Sequence, residues 1–304
     1  MRKLSFFFAF ALSFLAVYAD KDIKFYMNTG EIKCVAMERV SKVLFDEVAD
    51  KVAINIDDGT EYISLSLLDS IKYGVLPSFV DVKYSDAAVV VENPFAFDSV
   101  AVGITGAKVT VNSSTSREVI YNLRGESSDG AFKIYSNKKY VLNLAGINLT
   151  NKTGAAINSQ CKKQGKIVLA DATVNSLADG SAYASLSKED EKGTLFSEGQ
   201  LCFEGTGVLN VSSLYKHAVC SDDYIAFNGG SINVIGAAGD AVHVNDSLII
   251  SGGMLNLVAD GDGIDCDGVV NISGGSVKIT LAGDASNVGV TAFCKGFFGE
   301  RDKW

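Results

Sequence analysis

From Gly193 onward the apolar positions recur on two scales at once. Within short runs they alternate with polar ones, as in Ile225 and Phe227, Leu248 and Ile250, or Ile232 and Val234, which is the period of a β-strand with one buried face. Over longer distances the runs themselves recur in steps of 22 to 23 residues: GTLFSEGQLCFEGTGVLNV (193–211), KHAVCSDDYIAFNGGSINV (216–234), GDAVHVNDSLIISGGMLNL (239–257) and GDGIDCDGVVNISGGSVKI (261–279). Each unit holds three strand-like runs joined by Gly, Asp or Asn. A unit this short cannot bury its own apolar face, is too small for a helical hairpin and carries neither a leucine-rich nor a propeller signature. It suits one turn of a β-solenoid, in which stacking builds continuous apolar columns. The predicted inward columns include Val219, Val242 and Ile264; Leu248 and Val270 below Ile225; Ile250 and Ile272 below Phe227; and Leu255 and Leu257, then Val277 and Ile279, below Ile232 and Val234. Asn210, Asn233 and Asn256 form an outward polar column, and the Gly-Gly pairs at 229–230, 252–253 and 274–275 mark sharp turns.

Residues 86 to 192 keep this texture with looser spacing and read as earlier, irregular coils. The run KEDEK, Lys188 to Lys192, reads as a solvated charged insertion. Residues 22 to 74 obey another repeat, IKFYMNTGEIKCVAMERVSKVLF followed by VAINIDDGTEYISLSLLDSIKY, with turns at Gly30 and Gly59. This predicts a small N-terminal α+β repeat module, similar to the leader repeats ahead of secreted Bacteroidetes domains, for docking in a cell-surface or secreted assembly or for capping. The last residues, from Ser286 to Trp304, abandon the pattern.

At the other end Arg2 and Lys3 precede an apolar stretch from Leu4 to Val17 and a small-residue cleavage site ending at Ala19. The stretch is too short to span a bilayer comfortably, and no later segment is long and apolar enough. The expected organisation is therefore a signal peptide (1–19), the repeat module (20–75), the β-helix (76–285) and a divergent tail (286–304), with the mature chain secreted, periplasmic or at the cell surface. Cleavage would remove two positive charges from a formal −9, leaving −11. So acidic a chain disfavours nucleic acid, and it repels acidic polymers unless a cation intervenes. Six cysteines, Cys34, Cys161, Cys202, Cys220, Cys266 and Cys294, match no zinc or redox spacing and read as buried or idle thiols.

The strings KGTLFSEGQLCFEGTG, KHAVCSDDYIAFNGG, VHVNDSLIISGG and ADGDGIDCDGVVNISGG, with VIYNLRGESSDGAFKIYSNKKYVLNLAGINLTN upstream, resemble the carbohydrate-binding domain family of parallel β-helices found in cellulose-degrading clostridia and Bacteroidetes. The resemblance covers roughly residues 80 to 285. It implies a right-handed parallel β-helix similar to pectate lyase in fold, carrying calcium and binding acidic plant polysaccharide such as polygalacturonate, with cellulose as a further ligand. Family members continue with further coils where this chain departs at its C-terminus.

Aligning the coils places His217, Asp240, Asp262 and Asp284 in one column, Cys220, His243 and Asp265 in a second, Asp222, Asn245 and Asp267 in a third, and Asp223 and Asp246 in a fourth. Carboxylates stacked about 4.8 Å apart repel by roughly 1 kcal/mol in water, and a divalent cation reverses that sign. Calcium prefers six to eight oxygens. The candidate ligands are Asp222, Asp223, Asp240, Asp246, Asp260, Asp262, Asp265 and Asp267; the competing reading makes them turn residues facing water. The two histidines read as ordinary ladder residues. Among the motifs of β-helix hydrolases only the Asp222, Asp223 pair has an echo, and no serine-hydrolase, zinc-protease or kinase string occurs. A lyase needs a strong base, and from 193 to 285 the only basic side chains of that kind are Lys216 and Lys278; Lys216, beside His217, is the one candidate. The expected function is calcium-assisted polysaccharide binding, with a weak pectate lyase and a structural or adhesive stalk as rivals.

Overall fold

The computed structural model describes residues 21–75, 77–184, 189–281 and 292–294. The segment read as a signal peptide, Asp284 and most of the tail lie outside the described residues. From Ala107 onward the chain winds as a parallel β-helix with three faces. The first face stacks Ala107–Ser113, Gly130–Ser136, Ile157–Ser159, Gly193–Ser197, His217–Ser221, Val242–Val244, Ile264–Cys266 and Ala292–Cys294, each parallel to the next. The other two faces carry Leu201–Gly205 with Val208–Ser213 and their counterparts in the neighbouring coils.

The predicted columns form. Val219 lies opposite Val242, and Val242 opposite Ile264, all buried. Leu201, Ile225, Leu248 and Val270 stack likewise, and the rings of Phe203 and Phe227 lie face to face with centroids 4.8 Å apart. On the third face Leu209, Ile232 and Leu255 make the core column, while Asn233 donates to Asn210 at 3.0 Å and Asn256 to Asn233 at 2.9 Å. The second glycine of each pair, Gly230, Gly253 and Gly275, has φ of +80°, a backbone conformation that side chains disfavour. One column differs from the reading: Ile272 stays in register with Ile250 yet is 52% exposed. No further coil covers it among the described residues.

The N-terminal repeat is real, but its secondary structure corrects the α+β expectation. Each copy is strand, turn, strand, 3-10 turn and strand: Lys21–Met27, Glu31–Ala36, Met37–Arg39 and Val40–Asp46, then Lys51–Ile56, Gly59–Ser64, Leu65–Leu67 and Leu68–Val75. No α-helix occurs among the described residues, because the segment between paired strands leaves only three residues for a turn. The copies exchange their third strands: Val40–Asp46 pairs with the second copy's hairpin, and Leu68–Val75 with the first's. Glu31–Ala36 continues into the β-helix by pairing in parallel with Ala88–Asn93, while Phe97 packs edge-on against Phe25 and Arg39 bonds Asp98 at 3.0 Å. An open sheet end is thereby paired. No helix among the described residues is long and apolar enough to cross a membrane.

If the columns carry the stability, truncating Phe227 to Ala should cost about 3–5 kcal/mol, as for other buried aromatics. Ile272→Ala, at an exposed place in the next column position but one, should cost under about 1 kcal/mol. Urea titration followed by circular dichroism measures both.

Candidate functional site

Along the outside of the first face one register position runs Lys133, Asn158, Phe196, Cys220, His243 and Asp265 through successive strands. Its character changes from basic through apolar to imidazole and carboxylate. Phe196 and Cys220 point away from the main core and are nevertheless fully buried, because Ala155 and Tyr183 cover them in a small cluster of their own.

The insertion that the sequence suggests is solvated bonds to the basic end of the same register position. Glu189 accepts from Lys133 at 2.8 Å and from the Tyr135 hydroxyl. Glu191, whose side chain is only 10% exposed, meets Lys133 at 3.0 Å and accepts from the Asn158 amide. Lys192 bridges Asp190 at 2.8 Å and Asp222 at 3.0 Å; burial opposes its charge, but the two carboxylates prevail and hold its pKa above the usual lysine value. The reading of this run as solvated is therefore corrected for Glu191 and Lys192, while Asp190 stays exposed and Lys188 lies outside the described residues. Acids on a loop become structural when a basic side chain on a rigid strand waits within reach.

At the edge of this covered patch the Tyr215 ring stacks on Tyr183, centroids 4.1 Å apart and 20° from parallel. The buried carboxylate of Asp179 holds both, accepting from the Tyr183 hydroxyl at 2.7 Å, the Ser213 hydroxyl at 2.8 Å and the Leu214 amide at 2.6 Å. Tyr215 and Leu214 are exposed, so one aromatic face is presented to solvent from a fixed base. Next in the chain, Lys216 is exposed and forms no ion pair among the described residues.

Beside this platform the imidazoles of His217 and His243 stack 4.2 Å apart, nearly parallel. Asp240 sits between them: its Oδ2 is 3.0 Å from His217 Nδ1 and 3.4 Å from His243 Nδ1, while Asp265 Oδ2 lies 3.0 Å from His243 Nδ1 on the other side. The Asp262 amide donates to Asp240 Oδ1 at 2.8 Å and orients the carboxylate. Burial holds the His217 pKa below its ordinary value. The bond to Asp240, against burial and with help from the charge of Asp265, lifts that of His243. For Asp240 burial works upward, but its bonds to both histidines and to the Asp262 amide win and depress it.

The eight aspartates proposed as calcium ligands do not converge. Asp240 and Asp265 meet the histidines, and the Asp262 amide donates to Asp240. Asp222 is taken by Lys192 and by the Asn245 amide at 3.0 Å, and Asp223 by the Tyr224 amide at 2.9 Å and the Gln200 amide. Asp246, Asp260 and Asp267 are exposed beside the ends of first-face strands. Calcium takes six to eight oxygens. Among the described residues the first face gathers instead two imidazoles and one carboxylate, with ligand atoms within 4.8 Å of one another. That donor set does not fit a resident calcium.

Nor does the site assemble a nucleophile. Burial, reinforced by the Asp222 charge, pushes the Cys220 thiol up, which keeps it protonated beneath Tyr183 and unreactive. Cys34, Cys161, Cys202 and Cys266 are likewise buried and free, as read from their spacing. Nothing in the repeat spacing marks Tyr183, Asp179 or Glu191. Tyr215 alone leaves a trace, as an aromatic at a turn between two coils.

The shifted imidazole yields a pH test. The native pKa of His243 lies above its ordinary value of 6.5, so its ion pairs contribute in full below that value and fade as pH rises through the native one. In metal-free buffer the stability gap between wild type and His243→Gln should be larger near about pH 5 than near about pH 8. His217, common to both proteins, acts in the opposite sense. A gap that widens with pH on urea titration would contradict the assignment.

A family model described as carbohydrate-binding domain-containing protein matches residues 105–293. A relative of the same description from Acetivibrio thermocellus is 30% identical over 171 residues, 54% of this chain and 58% of that protein, so the match spans little more than half of the relative. A solved structure described as the polysaccharide lyase-like protein from C. thermocellum, in a gadolinium derivative, aligns with a TM-score of 0.60 and 26% identity over 68% of this chain and 84% of that one. With the match running through the stacked coils and the whole of the first-face site, the chain belongs to the carbohydrate-binding domain-containing protein family.

Proposed function

We propose that this protein is exported and binds plant cell-wall polysaccharide along the first face, with polygalacturonate in its calcium form as the principal ligand and cellulose as a weaker one. The observation that carries the reading is the Tyr183–Tyr215 stack, fixed by Asp179 and open to solvent on one ring, at the edge of a flat parallel sheet. An aromatic face offers a sugar ring a large apolar contact, and the neighbouring carboxylates and imidazoles offer hydroxyl partners.

The acidity of the chain sets the cation requirement. Two polyanions repel, and a calcium ion that arrives with the polymer screens that repulsion where Asp246, Asp260 and Asp267 leave carboxylates in water. The ion belongs to the ligand in this reading, since no oxygen cage gathers among the described residues. Methyl-esterified uronates bind calcium poorly and lose the advantage.

A lyase reading is favoured by the description of the solved relative and by the free ammonium of Lys216 beside His217. Proton abstraction from the sugar needs a base held against the substrate. Lys216 is exposed, without an ion-pair partner among the described residues to orient it.

Retention on polygalacturonate should appear with calcium, vanish with chelator and weaken on methyl-esterification, as read by affinity electrophoresis. Tyr215→Ala should weaken retention by about 10-fold, or about 1.4 kcal/mol. Lys216→Ala should leave it unchanged. Ultraviolet detection should find no unsaturated oligouronide with either protein; robust release that disappears in Lys216→Ala would make the protein a lyase.

A further inference from the structure

We infer that His217, Asp240 and His243 form a binding site for a divalent transition ion of the zinc class, independent of the polysaccharide reading. Three observations carry this. First, the 304-residue chain has two histidines, and both stand in this one cluster, one coil apart. Second, the spacing suits the ion. Zinc bonds of about 2.0–2.2 Å to nitrogen and oxygen put tetrahedral ligand atoms about 3.3 Å apart. Asp240 Oδ2 stands 3.0 and 3.4 Å from the two Nδ1 atoms, and one ligand atom from each residue falls within 4.8 Å of the others.

Third, hydrogen bonding alone leaves the cluster in conflict. The Asp240 amide donates toward His217 Nδ1 at 3.2 Å, and Asp240 Oδ2 lies 3.0 Å from the same nitrogen. If Nδ1 carries the proton, that proton opposes the amide N–H. If it does not, its lone pair opposes the carboxylate. His217 Nε2, buried and without a partner, cannot relieve either state. A cation between Nδ1 and Oδ2 turns the second opposition into two bonds, taking the lone pair that the Asp240 amide otherwise approaches, and unprotonated Nδ1 atoms are the ones that ligate.

The ion class follows from the donors. Two imidazoles and one carboxylate favour zinc, copper or nickel over calcium, which wants oxygens. The Asp262 amide, bonded to Asp240 Oδ1, leaves Oδ2 directed at the imidazoles, the outer support such sites use. Three protein donors leave a fourth position for water. Asp265, 3.0 Å from His243 Nδ1, remains outside the three-residue group and adds negative charge next to it.

The test uses the untagged chain, stripped with chelator and titrated with zinc chloride by calorimetry. Cobalt(II) substitution followed by visible absorption reports four-coordinate geometry. One zinc per chain is expected, with a rise in Tm that chelator reverses and that excess calcium does not prevent. His243→Ala should weaken zinc binding by at least about 100-fold. Cys34→Ser, in the second cluster of ligand-type side chains with Asp22 and Glu92, should not change it. Should His243→Ala misfold, nitrogen NMR of the wild type decides, because zinc must move the Nδ1 signals of both imidazoles. Absence of stoichiometric binding, undiminished binding in a folded His243→Ala, calcium displacing zinc, or unmoved imidazole signals would each overturn the inference.

Discussion

Short parallel strands paired in register are what every other feature of this molecule depends on. A strand such as Val242–Val244 has only three residues and no stability alone; it persists because Val219 and Ile264 flank Val242 from the coils on either side. The core is therefore a set of columns running the length of the solenoid. Burial of each residue is contributed mostly by its counterparts one turn away. Ile272, in the last strand of its face among the described residues, shares its register with buried Ile250 and is exposed, while Val270 in the same strand stays buried.

The same stacking that orders the core also orders the outside. Residues at one register position recur at strand spacing whatever their chemistry, so Asn210, Asn233 and Asn256 form a ladder, and the position after Val242 lines up Cys220, His243 and Asp265. A column can hold part of a functional cluster while a turn between strands supplies the rest, as Asp240 does from the segment before Val242–Val244. The first face uses this twice. Lys133 and Asn158 anchor the loop through Glu189 and Glu191, and the histidines and Asp240 gather at the uncovered end. Between the two, Tyr183 closes over Phe196 and Cys220 and braces Tyr215. Family membership agrees with a binding surface on this scaffold.

The N-terminal module shows the same pairing in antiparallel form. Its two copies each lack a third strand and take it from the other, so neither half closes a sheet alone. Through Glu31–Ala36 it passes into the β-helix as one more strand.

Period and alternation along the chain determined the β-helix, the inward columns, the Asn ladder, the glycine turns and the alignment of His243 with Asp265, because in a solenoid a sequence step of one repeat is a spatial step of one strand. The duplication before residue 75 was equally legible, though the expected helix was not there, since the space between paired strands and not local propensity decided its turns. What lies outside the repeat was decided only in three dimensions. KEDEK reads as solvent-exposed until Lys133 and Asn158, more than thirty residues earlier, are seen beneath it. Aspartates that look like an acidic oxygen cage are separated once Lys192, Gln200 and the histidines claim them. Contacts between a loop and a strand depend on the path of an insertion, which has no period, and the charge state of a carboxylate depends on neighbours that the path alone supplies.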